Sequence, residues 1–434
     1  MNTWAWIGMI GIIVFTLVPF LEKKNRTRPM ILKAIATIII VLGIIGAVLF
    51  FEINYVIAFI VGLFLLALLE PKTYTKKGVF IYSSIIIVIG IGSYLIFRDN
   101  PDYVLKHLKE HPESTSLYFS KNGENLIAYQ SDVVRPLAST VKILIAAEYA
   151  MQINENKLQK DSLVSLSDLE KFHFKNTDGN AHVEWLEALK EQEKITNNSV
   201  TLHDVVKGMI TYSSNANTDY LIYLLGEENI NNRAKTLGLT QHEKVYPIVG
   251  AIYIPIKYLN QGMDEEELLE LLNNMSMEEY RTHAWTISNK IKDGEIILDD
   301  SVFELSTKIQ KIWSDRLIGA SANDYGRLMT IISNEELPTL AADTLRDVME
   351  WPMQLNEANK EYFQHIGSKG GSTLFILNNA MYAQTNNQEQ MELVLFFNDL
   401  NLIERLLISN NIHSFESKML REEDYRLKVI QDLE

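Results

Sequence analysis

The stretch Arg135-Pro136-Leu137-Ala138-Ser139-Thr140-Val141-Lys142-Ile143-Leu144-Ile145-Ala146-Ala147-Glu148-Tyr149-Ala150 places a hydroxyl and an amine inside an otherwise apolar helix. Pro136 and the small residues after it read as a helix start. The run from Val141 to Met151 is apolar nearly all round, which predicts burial. Lys142 lies three residues after Ser139, and residues three apart share a helix face. An ammonium in such surroundings loses hydration, so its pKa falls and it becomes a neutral base for the serine beside it. Taken alone, one Ser-x-x-Lys among this many serines and lysines is a chance-level match, and a lysine snorkelling from a core helix accounts for it as well. Its weight depends on what the rest of the chain supplies.

The 434 residues divide in composition near residue 98. Residues 1–98 hold nearly all the long apolar runs and carry nine Lys and Arg against three Asp and Glu, a net of +6; with −15 overall, the remainder carries −21. An acidic domain of that kind repels phosphate backbones, which excludes nucleic acid as a partner. The chain has no cysteine, which removes disulfides, thiolate nucleophiles and Cys-ligated zinc. A cysteine-free domain outside the cytoplasm is compatible with a bacterial surface enzyme.

Four segments qualify as membrane spans: Thr3 to Leu21, Ile31 to Phe51, Asn54 to Leu69 and Gly78 to Phe97. Each is close to the ~20 residues a helix needs to cross the hydrocarbon core, and the second and third form a tight helical hairpin. A cleavable signal peptide is a poorer reading of the first, because the charged region before it is missing. Lys23, Lys24, Arg26 and Arg28 lie between spans one and two, and Lys72, Lys76 and Lys77 between three and four, whereas the other short loop carries only Glu52. Both basic loops are therefore expected in the cytoplasm, with the N-terminus outside. The chain would emerge on the outer side at Arg98-Asp99-Asn100-Pro101. The expected organisation is a membrane domain of four transmembrane helices over 1–98 and an extracytoplasmic domain over 99–434. This makes a multi-pass protein of a bacterial cell membrane, with the lipid bilayer as a partner. Lys33 is the one charge within a span and lies near its end, so no transport pathway is expected.

After a short polar helix or linker over Asp102 to His111, Ser116 to Phe119 and Asn125 to Tyr129 read as a hairpin closed by Asn122-Gly123. Helices and polar loops then fill the middle: Thr201 to Thr211, Tyr220 to Leu225 ended by Gly226, 263–293 and 301–334. The acidic run Asp264 to Glu267 reads as a solvated face. Strands return at Tyr362 to Ser368, Thr373 to Gln384 and Met391 to Phe397. An amphipathic helix over Leu400 to Ser409 and a polar tail follow. If the first and last strands pair, this is an α+β fold: one antiparallel sheet with an inserted helical lobe.

A serine nucleophile needs a proton shuttle and oxyanion donors. Tyr212-Ser213-Ser214-Asn215-Ala216-Asn217 offers a hydroxyl and a carboxamide two residues apart. Gly367-Ser368-Lys369-Gly370-Gly371-Ser372-Thr373, on an expected strand, offers a cation and glycines that admit a substrate to the backbone.

Ser-x-x-Lys on a helix after a hairpin, Ser-x-Asn on a helical loop and Lys-Gly-Gly late in the chain together resemble the serine beta-lactamases and penicillin-binding proteins. The class A beta-lactamase branch is nearest, and the likeness covers most of residues 115–410. The resemblance implies Ser139 as the acylated nucleophile, Lys142 as its base and Ser213 as proton relay. Asn215 would hold the substrate amide, and Lys369 would supply positive potential beside Gly370 and Gly371. The backbone N–H groups of Ser139 and Ser372 would form the oxyanion hole. It implies no cofactor and no metal. In the family the residue at position 370 is usually Thr or Ser, whose hydroxyl helps bind a substrate carboxylate, a task Ser372 or Thr373 would have to take over. The class A glutamate that activates the deacylating water has no counterpart in Val245 to Pro255, which contains no acidic residue.

Other polar groups rank lower. His173 and His182 flank Asp178-Gly179 and read as surface residues of a polar loop rather than as metal ligands. His242-Glu243 begins like a zinc-protease helix, but Tyr246 stands where the second histidine is required. Trp185, Trp285, Trp313 and Trp351 read as core or rim residues. The expected function is a membrane-anchored serine hydrolase acting on an amide or ester: a peptidoglycan-derived peptide, a beta-lactam or a related small acyl compound. The alternative is a beta-lactam or cell-wall sensor acylated without turnover, although Glu70 to Lys77 is too short to hold an effector domain.

Overall fold

The described domain begins with helix α1 (Pro101–Glu110) and a hairpin of β1 (Thr115–Lys121) and β2 (Glu124–Tyr129). Asn122 and Gly123 both have positive φ, 52° and 79°, the conformation a two-residue turn requires if its twist is to match the strands. The computed structural model describes residues 98–433, apart from 176 and 299–304. The four expected spans and the loops that would orient them lie outside the described residues. Among the described residues no helix is long and apolar enough to cross a membrane.

Three closing strands, β7 (Phe363–Ser372), β8 (Leu377–Thr385) and β9 (Gln390–Phe397), complete an antiparallel sheet in the order β2-β1-β9-β8-β7. First and last strands pair as the sequence predicts, with Leu117 opposite Leu395 and Phe119 opposite Leu393. Successive side chains alternate between the two faces of this sheet. Leu117, Phe119, Leu393, Leu395 and Phe397 pack with Val104, Leu108, Ile412, Phe415 and Met419 on one face. Tyr118, Ala380, Tyr382, Val394 and Phe396 join the core of the helical lobe on the other. Both faces are packed, which is why Leu393 to Phe397 of β9 read as a continuous apolar run rather than an alternating one.

Arg135-Pro136 does not start a helix: it forms β3 and pairs with β6 (Gly319–Ala320). The reason is the Arg135 side chain, which is 3% exposed. Its guanidinium donates to Ser116 Oγ, Asn398 Oδ1 and the carbonyls of Pro112, Glu113 and Thr115, pinning the chain to the sheet at this point. A 3-10 turn over Ala138–Val141 follows, and helix α2 (Lys142–Asn154) begins only at the lysine. Every residue of α2 through Ala150 is buried, as the apolar run predicts.

The lobe continues through β4 (Leu163–Ser165), α3 (Leu166–Glu170), α4 (Ala181–Glu191), β5 (Ser199–Thr201) and α5 (Leu202–Lys207). A π-turn over Gly208–Tyr212 leads to α6 (Asn215–Leu225) and α7 (Glu227–Thr236). Next come α8 (Ile248–Asn260), α9 (Glu265–Asn274) and α10 (Met277–Lys292), with Asp264 to Glu267 exposed as expected. The segment 301–334 is not one helix. Its described part holds α11 (Thr307–Asp315), strand β6 and α12 (Ala322–Ser333), followed by α13 (Thr339–Met349), α14 (Pro352–Leu355) and α15 (Glu357–Tyr362). The last two helices are α16 (Leu402–Arg421) and α17 (Glu423–Leu433). Helix α16 starts two residues later than expected because Asn401 and Glu404 form a capping box. It also runs far past Ser409, since Ile408, Ile412, Phe415 and Met419 keep a helical stripe on the sheet.

Candidate active site

Ser139 sits in the 3-10 turn, not on the helix proper, and the backbone N–H of Lys142 donates to its carbonyl. Ala138, just before it, holds a positive φ of 48°. Such a conformation costs a non-glycine residue about 1–3 kcal/mol and persists only where the surroundings impose it. Strand β7 imposes it from one side. A Cβ on Gly371 would lie 2.6 Å from Thr140 Oγ1 and 2.7 Å from Thr140 N, so glycine is what lets the strand approach the turn. Gly371→Ala is therefore expected to cost about 1–3 kcal/mol of stability in a urea melt and to slow acylation of Ser139. A variant that melts and acylates like the parent chain would refute the close-approach argument.

The second stretch reaches the same place from the lobe. Ser213 has φ 73° and ends the π-turn, which turns its carbonyl and its side chain toward Lys142. Ser214 caps α6 by accepting from the Asn217 N–H at 3.2 Å. Lys142 Nζ donates to the Ser213 carbonyl at 2.6 Å and to Asn215 Oδ1 at 2.9 Å, and lies 3.2 Å from Ser213 Oγ. Lys142 is fully buried, and burial, with the charge of Lys369 second, holds its pKa well below the ordinary lysine range. A neutral amine has two N–H bonds and one lone pair. Two carbonyl-type acceptors use both N–H groups, and the lone pair remains for a proton.

From the strand, Lys369 Nζ donates to Ser213 Oγ at 3.1 Å and to the Gly370 carbonyl at 2.9 Å. Burial lowers its pKa to about 7. Ser213 Oγ thus has an amine on each side, at the wall of a cavity of about 320 Å³. Ser139, Ser213, Asn215, Lys369, Gly370 and Ser372 all line that cavity. Gly371 stands against the turn that carries Ser139, next to Leu137 and Thr140.

The structure adds residues that sequence reasoning missed. Thr177, Asp178 and Gly179 form part of the wall. Asp178 Oδ2 accepts from the backbone N–H groups of His182 (3.3 Å) and Asn215 (3.5 Å), while its buried Oδ1 has no hydrogen-bond partner. The only sequence signal was an Asp-Gly in a polar loop. Trp313, read as core or rim, lines the cavity as well. Val245 to Pro255, read as the counterpart of a loop, mostly forms α8. Its first turn is held by Asp219 of α6, whose carboxylate accepts from the N–H groups of Ile248 (2.8 Å) and Val249 (3.0 Å). Burial raises the Asp219 pKa to about 7. His182 is likewise not a surface residue: it is fully buried on α4, because its ring packs on Trp185 and bonds to Ser214.

Residues 102–406 match the beta-lactamase enzyme family. The chain belongs to that family. Membership makes residues 102–406 a serine hydrolase domain of the beta-lactamase type. Similar solved structures include a beta-lactamase from Chitinophaga pinensis, at 12% identity and TM-score 0.44, covering 74% of this chain and 99% of the other. A variant of PBP-A in its acyl-enzyme complex with penicillin G is 15% identical, with TM-score 0.44 and coverage of 74% and 97%. A class A beta-lactamase from Bacteroides cellulosilyticus is 13% identical, with TM-score 0.43 and coverage of 72% and 98%. No curated protein matches the chain.

Proposed function

We propose that this member of the beta-lactamase family acylates itself on Ser139 with an amide or ester substrate and passes the acyl group to water. The observation that carries the reading is the convergence of Lys142 and Lys369 on Ser213 Oγ, at 3.2 and 3.1 Å, at the wall of the cavity that Ser139 lines. In that reaction the Ser139 hydroxyl attacks the acyl carbon while Lys142 takes its proton. The N–H groups of Ser139 and Ser372 stabilise the oxyanion. Ser213 hands a proton to the leaving nitrogen or oxygen, and Asn215 holds the substrate amide.

The substrate class we favour is a peptidoglycan-derived peptide, a beta-lactam or a related acyl compound. Both D-alanyl-D-alanine ends and penicillins carry a carboxylate. With Gly370 unable to bind it, Thr373 is the replacement donor. Its Oγ1 accepts from Ser314 Oγ (3.0 Å) and the Phe375 N–H (3.1 Å), which leaves its own proton for a ligand. A Cβ on Gly370 would meet nothing closer than 3.4 Å, so the strand has room for a side chain to start there. Gly370→Thr is expected to speed acylation by penicillin about 10-fold, one good hydrogen bond to a charged group being enough for that. An unchanged rate would show that the carboxylate is bound elsewhere or not at all.

A stably acylated sensor is the second reading, favoured by the lack of any carboxylate in Val245 to Pro255. Labelled penicillin and a chromogenic ester, followed by the mass of the Ser139 adduct against time, separate the two. Turnover supports the hydrolase, a long-lived adduct the sensor, and no adduct with either donor would overturn both. We further propose that residues 1–98 anchor the domain in a bacterial cell membrane by four spans with the N-terminus outside. Protease protection of residues 99–434 in intact cells, instead of digestion from outside, would refute this.

A further inference from the structure

Glu170, His173 and His182 lie beside the second stretch and play no part in the proposed acyl transfer. Their ligand-type atoms are all within 4.8 Å of one another. His173 Nδ1 is 3.2 Å from Glu170 Oε2, and His182 Nε2 is 3.4 Å from Glu170 Oε1. Tetrahedral zinc with ligands at 2.0–2.1 Å separates neighbouring ligand atoms by about 3.3–3.4 Å. Each imidazole nitrogen is thus at that spacing from one oxygen of Glu170, the two distances running to different oxygens, so a carboxylate binding through one oxygen must turn to bring both together. The two rings are 4.5 Å apart at their centroids, and the ligand atoms of all three residues lie within 4.8 Å.

A surface ion pair would not need what His182 provides. The ring is fully buried, and its Nε2 faces the cluster with Glu170 Oε1 at 3.4 Å and makes no closer hydrogen bond. A buried ring nitrogen so weakly satisfied is costly, and an ion between it and the carboxylate would remove that cost. Its other nitrogen, Nδ1, is 2.9 Å from Ser214 Oγ. If Nδ1 carries the hydrogen and donates it to that hydroxyl, Nε2 is left with its lone pair. This is the tautomer a metal-bound histidine uses, with an oxygen partner fixing the far side of the ring. The Glu170 side chain is 47% exposed, which gives an ion a way in and leaves the fourth coordination position to water.

We propose that Glu170, His173 and His182 bind one divalent transition-metal ion of the zinc class, and that the ion steadies the turn carrying Ser213 and Asn215. From sequence, His173 and His182 rank as surface residues before ligands and Glu170 does not enter, because the three come from the end of α3, the loop after it and the start of α4. Coupling to the turn runs through one residue. His182 bonds to Ser214, which caps α6 and sits between Ser213 and Asn215.

The test uses the full chain, freed of metal and titrated with zinc, and with cobalt(II) as a spectroscopic probe. One equivalent should bind, cobalt should show the intense visible bands of a four-coordinate site, and zinc should raise the melting temperature. His173→Ala and Glu170→Gln, at the outer part of the cluster, should each weaken binding about 100-fold or more while the metal-free melting temperature stays near that of the parent chain. His111→Ala alters the other His-and-carboxylate group, His107, His111 and Glu404, and should leave binding unchanged. Absence of stoichiometric zinc binding, octahedral cobalt spectra, or binding lost in His111→Ala but kept in His173→Ala would each overturn the proposal.

Discussion

Ser139→Ala is expected to leave the chain without an acyl adduct and to lower turnover of a chromogenic ester by about 10⁴-fold or more. The change removes only an oxygen from a half-buried residue on a turn that Gly371, Thr140 and the Lys142 N–H already hold in place. The cavity, Ser213 and both lysines remain, so the urea midpoint should stay near that of the parent chain. Loss of activity with stability intact separates a nucleophile from a structural serine. An adduct of unchanged mass and rate in this variant would mean that another group is acylated.

Lys142→Ala is expected to slow acylation by about 10²–10⁴-fold, the range for loss of a positioned general base. Two contributions are mixed in that figure. In the proposed reaction the amine takes the Ser139 proton, and it also ties the Ser213 carbonyl and Asn215 Oδ1 to the start of α2. Added methylamine restores part of the rate if the lost base is the cause, and none if the turn has collapsed. The pH profile gives a further reading. Lys142 serves as base only when neutral, so acylation falls as pH drops through its depressed pKa. Lys369 loses its positive charge as pH rises through about 7, so attraction of an anionic substrate weakens above that value. A rate for an anionic substrate that does not change as pH crosses about 7 would exclude the Lys369 assignment.

The strands and the buried helix were legible because their signals are local. Asn122-Gly123 closes a two-residue turn wherever it occurs between apolar runs, and the run after Val141 is too apolar to face water. Helix α8 was not legible, because its start depends on Asp219, distant in sequence, accepting the first N–H groups. The ends of α2 and α16 were misjudged for a similar reason. Arg135 binds five groups brought to it by other elements, and the α16 stripe has meaning only once the sheet face it covers exists.

The sequence by itself determined the residue types of the site and their order: Ser139 and Lys142, then Ser213 and Asn215, then Lys369. That order, on the right elements, was enough for the family. Only the tertiary structure decided which atoms meet. Ser213 Oγ lies between two lysines because a left-handed residue at the end of a π-turn faces both a helix and a strand. Asp178, Trp313 and the buried face of His182 entered for the same reason. Burial and hydrogen-bond direction depend on what packs against a residue from elsewhere, and no spacing along the chain encodes that.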